Sequence, residues 1–232
     1  MIDLEIPRKF RPLLTQARGM AEEVFWPISR KYDLAEHTYP AELDVMAALI
    51  DGLGRSGSAR GAGATGSAKA ETPNPSATPG VRNGANLSSV LSILETARGD
   101  VGLTLSIPRQ GLGNAAIAAV ANDEQKRRYA GRWAAMAITE PDTGSDSGAI
   151  RTTAVRDGDH YVLNGEKIFV TAGERAELVV VWATLDRSLG KQAIKSFVVE
   201  RSNPGLRLVR LEHKLGIRSS DTAAFVLEDC RV

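Results

Sequence analysis

Cysteine is almost missing from this chain of 232 residues: only Cys230 is present, so no intrachain disulfide can form and a reducing, cytoplasmic setting is expected. Excess charge is missing too. With 29 Lys and Arg against 28 Asp and Glu the formal net charge is +1, and like-signed residues are interspersed, which leaves no electrostatic footprint for nucleic acid. The N-terminal stretch MIDLEIPRKFRPLL carries charges throughout and has no apolar signal core. The longest apolar run, Leu178 to Leu185, is far too short for a membrane span. Histidine is sparse, and His37, His160 and His213 stand far apart in sequence, so with one cysteine no metal site is expected.

What is present is enough apolar material for a core, 43% of residues. It changes its period along the chain. Leu13, Ala17, Met20, Val24 and Ile28 recur at helical spacing, with Pro27 expected to kink or end that helix. Leu43, Met46, Leu49 or Ile50, and Leu53 form a second stripe after Pro40, and Leu87, Val90, Leu91, Leu94 and Ala97 a third. Between them, residues 54–86 are dominated by Gly, Ala, Ser, Pro and Thr and read as a flexible insertion. Asn122 followed by Gln125 reads as a capping box.

After residue 135 the period becomes that of strands. Ile150, Thr152 and Ala154 alternate, and Asn164-Gly165 is the expected hairpin turn between strands at 161–163 and 167–171. Further strands fit 178–185, 194–200, 206–211 and 223–228. The expected fold class is α+β: an all-helical domain over 1–134, then an antiparallel β-barrel over 135–232.

Two segments carry chemistry. Thr139-Glu-Pro-Asp-Thr-Gly-Ser-Asp146 lies where helices give way to strands and offers hydroxyls and free amides to a flavin edge or phosphate, although the same residues also make an ordinary domain-linking loop. Phe169 and Thr171 are two apart on one strand and so share a face, a ring beside a hydroxyl. Gly111-x-Gly113-x-x-Ala116 lacks the strand-helix-strand context of a dinucleotide fingerprint, and Gly61-x4-Gly66 lacks the lysine of a phosphate loop. Arg218-Ser-Ser-Asp221 reads equally as a phosphate contact or a solvated loop.

Taken together, ITEPDTGSD, LNGEKIFVTAG and KLGIRSSDT, in this order and spacing, resemble the acyl-CoA dehydrogenase family over nearly the whole chain, as its N-terminal helical and middle β-domains. The resemblance implies FAD as cofactor and the removal of two hydrogens from the Cα–Cβ bond of an acyl-CoA thioester. It also implies an electron-transfer flavoprotein as acceptor and an oligomeric assembly. Carried across residue by residue, it implies that Met136, Ala137, Ile138, Thr139, Gly144 and Ser145 line the flavin. Thr139 would lie near the pyrimidine end, and Ser145 near the pyrophosphate or the acyl-CoA. Phe169, Val170 and Thr171 would flank the isoalloxazine, with the Thr171 hydroxyl approaching N5. Phe169 stands where many members have Trp, and Met136 where an aromatic is common. The family's general base lies in a C-terminal helical domain beyond Val232, so no residue here is expected to be catalytic. A non-catalytic half-length subunit giving a flavin platform to a partner, and a flavin oxidase or monooxygenase of the same fold, are the alternative expectations.

Overall fold

A computed structural model describes residues 5–55 and 85–232. Helices come first: α1 (Arg11–Met20), a π-helical turn (Ala21–Phe25), α2 (Trp26–Leu34), α3 (Glu42–Arg55), α4 (Ala85–Gly99), α5 (Val101–Leu105), α6 (Leu112–Val120) and α7 (Asp123–Arg128). Strands follow: β1 (Ala134–Ala137), β2 (Thr153–Asp157), β3 (His160–Thr171), β4 (Leu178–Thr184), β5 (Ile194–Glu200), β6 (Leu206–Leu211) and β7 (Thr222–Arg231). This is the α+β arrangement expected. Residues 56–84, most of the expected insertion, lie outside the described residues.

Pro27 does not end the first helix. A π-helical turn precedes it and helical backbone continues to Leu34; the wider turn accommodates a residue that has no N–H to donate and whose ring crowds the preceding turn. The face that packs runs through Leu14, Ala17, Ala21 and Phe25, and Phe25 joins Tyr32, Leu43, Ala47, Leu103 and Ile107 in the helical core. α4 behaves differently. Its expected stripe is left largely in solvent, with Leu87, Val90 and Leu94 at 44%, 56% and 63% exposure. Toward the first helices it turns Glu95, which pairs with Arg18 at 2.8 Å, and Gly99, where a Cβ would lie 2.8 Å from the Ala21 Cα. Close backbone approach selects the small residue there, overriding hydrophobic periodicity. The capping box at Asn122 and Gln125 forms as expected, with reciprocal bonds of 2.9 and 3.0 Å.

The seven strands form one sheet in the order β1-β4-β2-β3-β7-β6, with β5 also on β4, curled over a core that includes Leu163, Val170, Val179, Val181, Val199 and Phe225. Two details differ from expectation. First, the sheet is mixed, since β1 and β2 both run parallel to β4; these neighbours are not consecutive in sequence, so no tight turn dictates their direction. Second, Asn164-Gly165 is not a turn. β3 runs straight through it, and the β2–β3 hairpin closes instead between Asp157 and His160, around Gly158 at φ +61°. Gly165 at φ +151° serves a bulge against β7, and a Cβ on it would lie 2.5 Å from Thr152 Oγ1. The apolar run at β4 is explained by burial on both faces: Val179 and Val181 meet the sheet core, while Leu178 and Val180 meet Ile117 of α6.

Candidate functional site

β1 is fixed from behind. Gly113 of α6 sits so close to it that a Cβ would fall 2.3 Å from the Ala134 carbonyl oxygen. Asn114 binds both sides of the strand's entry, accepting from Ala134 N at 3.0 Å and donating to Arg132 O at 2.8 Å. The glycines that mimic a dinucleotide fingerprint thus serve helix-on-strand packing. From this anchored strand the chain passes into the loop of residues 138–152.

Glu140 organises that loop. Its backbone N–H and carbonyl pair with those of Thr143 at 2.9 and 3.2 Å, closing a turn over Pro141 and Asp142. Its carboxylate is buried and receives Lys167 Nζ at 2.8 Å, Arg151 N at 2.6 Å, Thr152 N at 2.9 Å and Thr143 Oγ1 at 3.4 Å. Burial alone would push this carboxyl up, but the ammonium of Lys167 and the N–H donors outweigh it and hold it below the usual carboxylate range. Lys167 is fully buried and also donates to Ile138 O at 3.1 Å. Next to it, Ile168 N donates to Thr139 O at 2.9 Å. These bonds bring the two sequence motifs, 27 residues apart at Lys167 and Glu140, into one structure.

Each residue implied by the resemblance can be placed on this frame. Ile138 and Thr139 are half-buried beside Lys167 and Ile168. Met136 is half-buried on the β1 face opposite Ala135 and Ala137. Gly144 and Ser145 are exposed, and a Cβ at Gly144 would meet nothing within 4 Å. Phe169 presents its ring to solvent, 59% exposed, from a backbone at φ +57°. Such a conformation is uncommon for a bulky residue and coincides with a bulge against β7 between Lys167 and Val170. Thr171 is exposed on the same face. Among the described residues the side-chain hydroxyls of Ser145 and Thr171 have no partner. Ala137 and Val170 are 1% exposed and belong to the sheet core, so they lie beneath the surface that carries the other residues.

An exposed ring, two open hydroxyls and a loop whose shape is set by buried charge suit a flat, polar-edged group such as a flavin. Glu140 is no candidate base, because both of its oxygens are occupied by donors. What residue-by-residue reading missed was the role of Lys167. The available signal was its position, since β3 alternation turns it to the inward face with Leu163, where an ammonium requires a partner.

Two other readings change. Ser219, Ser220 and Asp221 are buried, which excludes the solvated loop. Asp221 meets Arg175 at 3.3 Å and Glu174 N at 2.9 Å, and Ser219 Oγ donates to Asp100, so this stretch joins helices to strands. The histidines are not all isolated, because His37 and His213 meet beside Glu36.

Comparison with known proteins points to one family. Residues 135–230 match the family model of the acyl-CoA dehydrogenase middle domain. The acryloyl-CoA reductase (NADH) of Anaerotignum propionicum is 31% identical across the whole chain, which spans 56% of that protein. The human mitochondrial short-chain specific acyl-CoA dehydrogenase is 32% identical over 99% of the chain and 53% of its own length. The solved structure of butyryl-CoA dehydrogenase from Megasphaera elsdenii superposes with a TM-score of 0.72 at 25% identity, covering 100% of this chain and 58% of that one. The chain therefore spans a little over half the length of these relatives. Among the described residues no helix is long and apolar enough to cross a membrane. Residues 135–230 belong to the acyl-CoA dehydrogenase middle-domain family, and the likeness to acyl-CoA dehydrogenases extends along the whole chain.

Proposed function

We propose that this chain is the flavin-holding part of a FAD-dependent acyl-CoA dehydrogenase of the fatty-acid β-oxidation type. In this reading a helical domain over 1–134 precedes a flavin-binding β-domain over 135–232, in a cytoplasmic oligomer that reduces an electron-transfer flavoprotein. The observation that carries the reading is the joining of the 139–146 loop to β3 through Glu140, Lys167 and Ile168. FAD, when bound, would accept the hydride, and with it the two electrons, lost by the acyl thioester.

The chain's own contribution is positioning. Phe169 gives the ring system an aromatic wall, and its left-handed backbone is what turns the side chain outward. The Thr171 hydroxyl, open on the same face, offers a donor to the flavin edge where hydride arrives. Thr139 and Ser145 offer hydroxyls toward the pyrimidine end and toward a phosphate or the acyl-CoA, while Met136, Ile138 and Gly144 complete the floor, supported from beneath by Ala137 and Val170 in the sheet core. The buried ion pair keeps the loop from rearranging when ligand arrives, so less ordering cost opposes binding. The saturation of Glu140 favours a second reading of the same site, a platform whose general base is supplied by another polypeptide.

Fluorescence titration of FAD into the purified chain tests the proposal. Phe169→Ala should weaken flavin binding by roughly tenfold, the scale of one stacked aromatic contact, while its exposure leaves thermal stability unchanged. In any turnover-competent assembly Thr171→Val should slow flavin reduction by roughly tenfold or more, with little change in acyl-CoA affinity. Wild-type FAD affinity in both variants and an unaltered reduction rate would place the flavin elsewhere.

A further inference from the structure

The connection between α2 and α3 meets the connection between β6 and β7 at a cluster that has no part in the flavin reading. Glu36 and His37 come from the first, His213 from the second, 177 residues beyond Glu36. One ligand atom from each of the three lies within 4.8 Å of the other two. Glu36 is already oriented: Lys214 N donates to Oε1 at 2.8 Å, leaving Oε2 directed at His213 Nδ1, 3.0 Å away. That backbone bond, with help from His213 and Arg218, holds the Glu36 carboxyl down at about 2 despite opposing burial, so the acceptor is an anion at any ordinary pH.

His37 is the odd member. Both of its ring nitrogens are shielded from solvent and neither has a hydrogen-bond partner among the described residues. Its ring meets that of His213 edge-on at 5.1 Å. It is held there by a left-handed backbone at φ +68°, a conformation that costs free energy in any residue with a Cβ. A half-buried imidazole whose two nitrogens are shielded and orphaned, on strained backbone and next to a fixed carboxylate, is under-satisfied as it stands.

We propose that Glu36, His37 and His213 form a binding site for a borderline divalent transition-metal ion of the zinc type. Two imidazole nitrogens and one carboxylate oxygen are the donor set such an ion takes, whereas Mg²⁺ and Ca²⁺ require mainly oxygen. The side chain of His213 is 84% exposed, so the ion has a path in and a fourth position open to water. Arg218, whose Nη2 lies 3.4 Å from Glu36 Oε2, is the competing cation and must yield that oxygen. Bound metal would tie the helical part to the strand part, and because it binds only the folded chain it would raise stability by mass action.

Isothermal titration of untagged 232-residue protein with Zn²⁺, paired with thermal melts, tests the site. One ion per chain is expected, with a melting temperature that rises with Zn²⁺ but not with Mg²⁺. His213→Ala, which removes an exposed side chain and so leaves the fold intact, and His37→Ala should each weaken binding by at least about tenfold, on the scale seen when a metal site loses supporting groups. His160→Ala should bind as wild type. Absence of binding in the wild type, or binding that survives both His37→Ala and His213→Ala, would overturn the proposal, as would an equal loss in His160→Ala.

Discussion

The strand region and the helical region solve the same packing problem in opposite ways. In the strand region two ion pairs go inside and are matched, while others such as Arg231 with Asp157 stay at the surface. Lys167 is fully buried against Glu140, Arg175 and Asp221 are buried together, and the apolar residues close over one continuous core. In the helices the ion pairs lie nearer the surface, as in Arg30 with Asp33, and several large apolar side chains of α3 and α4 remain in solvent, among them Val45, Leu49, Val90 and Leu94. The candidate flavin site stands on the region whose interior is complete. A loop that must hold hydroxyls and a ring at fixed positions gains little from exposed pairs, which solvent screens, and much from a buried pair that cannot be released without leaving a charge unmatched.

The sharpest way to break this contrast is to remove one partner from each kind of pair. Lys167→Met leaves Glu140 buried without its cation and should cost about 3–5 kcal/mol, lowering the melting temperature by roughly 10 °C or more. Arg30→Met, in an exposed pair, should change stability by under about 1 kcal/mol. Equal losses in thermal melts would mean that the buried pair is no more than a surface pair in effect.

Backbone approach gives a second contrast. Gly165→Ala places a Cβ against Thr152 at a φ that L residues rarely adopt, and should cost about 1–3 kcal/mol in urea unfolding. Stability close to wild type would show that the bulge at Gly165 relaxes freely.

Acid should release the buried pair. The folded Glu140 has a lowered pKa, so its stabilising contribution is complete above the ordinary carboxylate value of 4.5 and is lost as pH falls through its folded value. Urea midpoints measured from pH 6 to pH 3 should fall, and fall less steeply in Glu140→Gln. Glu36, held at about 2, should keep contributing to lower pH still. Parallel curves for wild type and Glu140→Gln would remove Glu140 from the account.

The smallest expected effect has the opposite sign. Gly19 lies in α1 with nothing within 4 Å of a Cβ position, so Gly19→Ala should stabilise by roughly 0.5–1 kcal/mol, the helix-propensity difference. A loss instead would show that the exposed side of α1 is more tightly packed than that of β3.

Local signals in the sequence are legible where neighbours along the chain decide the outcome. The capping box at Asn122, the change from helical to strand period near residue 135, and the extents of β5 and β6 all depend on side chains within a few residues of one another. The two motifs of the candidate site were visible for the same reason. Asn164-Gly165 is ambiguous in sequence because the dipeptide is equally suited to a turn and to a bulge, and only the positions of Thr152 and β7 select the bulge.

By itself, then, the sequence determined the α+β class, the order of elements and the residue types offered at each motif, since periodicity, capping and turn chemistry are short-ranged. Tertiary structure alone decided which charges distant along the chain meet. Lys167 finds Glu140 across 27 residues, His213 finds Glu36 across 177, and α4 turns its small and polar side inward while Leu87 and Leu94 face out. The physical reason is that burial energy and charge pairing depend on distance in space, and spatial distance is set only when the sheet curls and the helices settle on it.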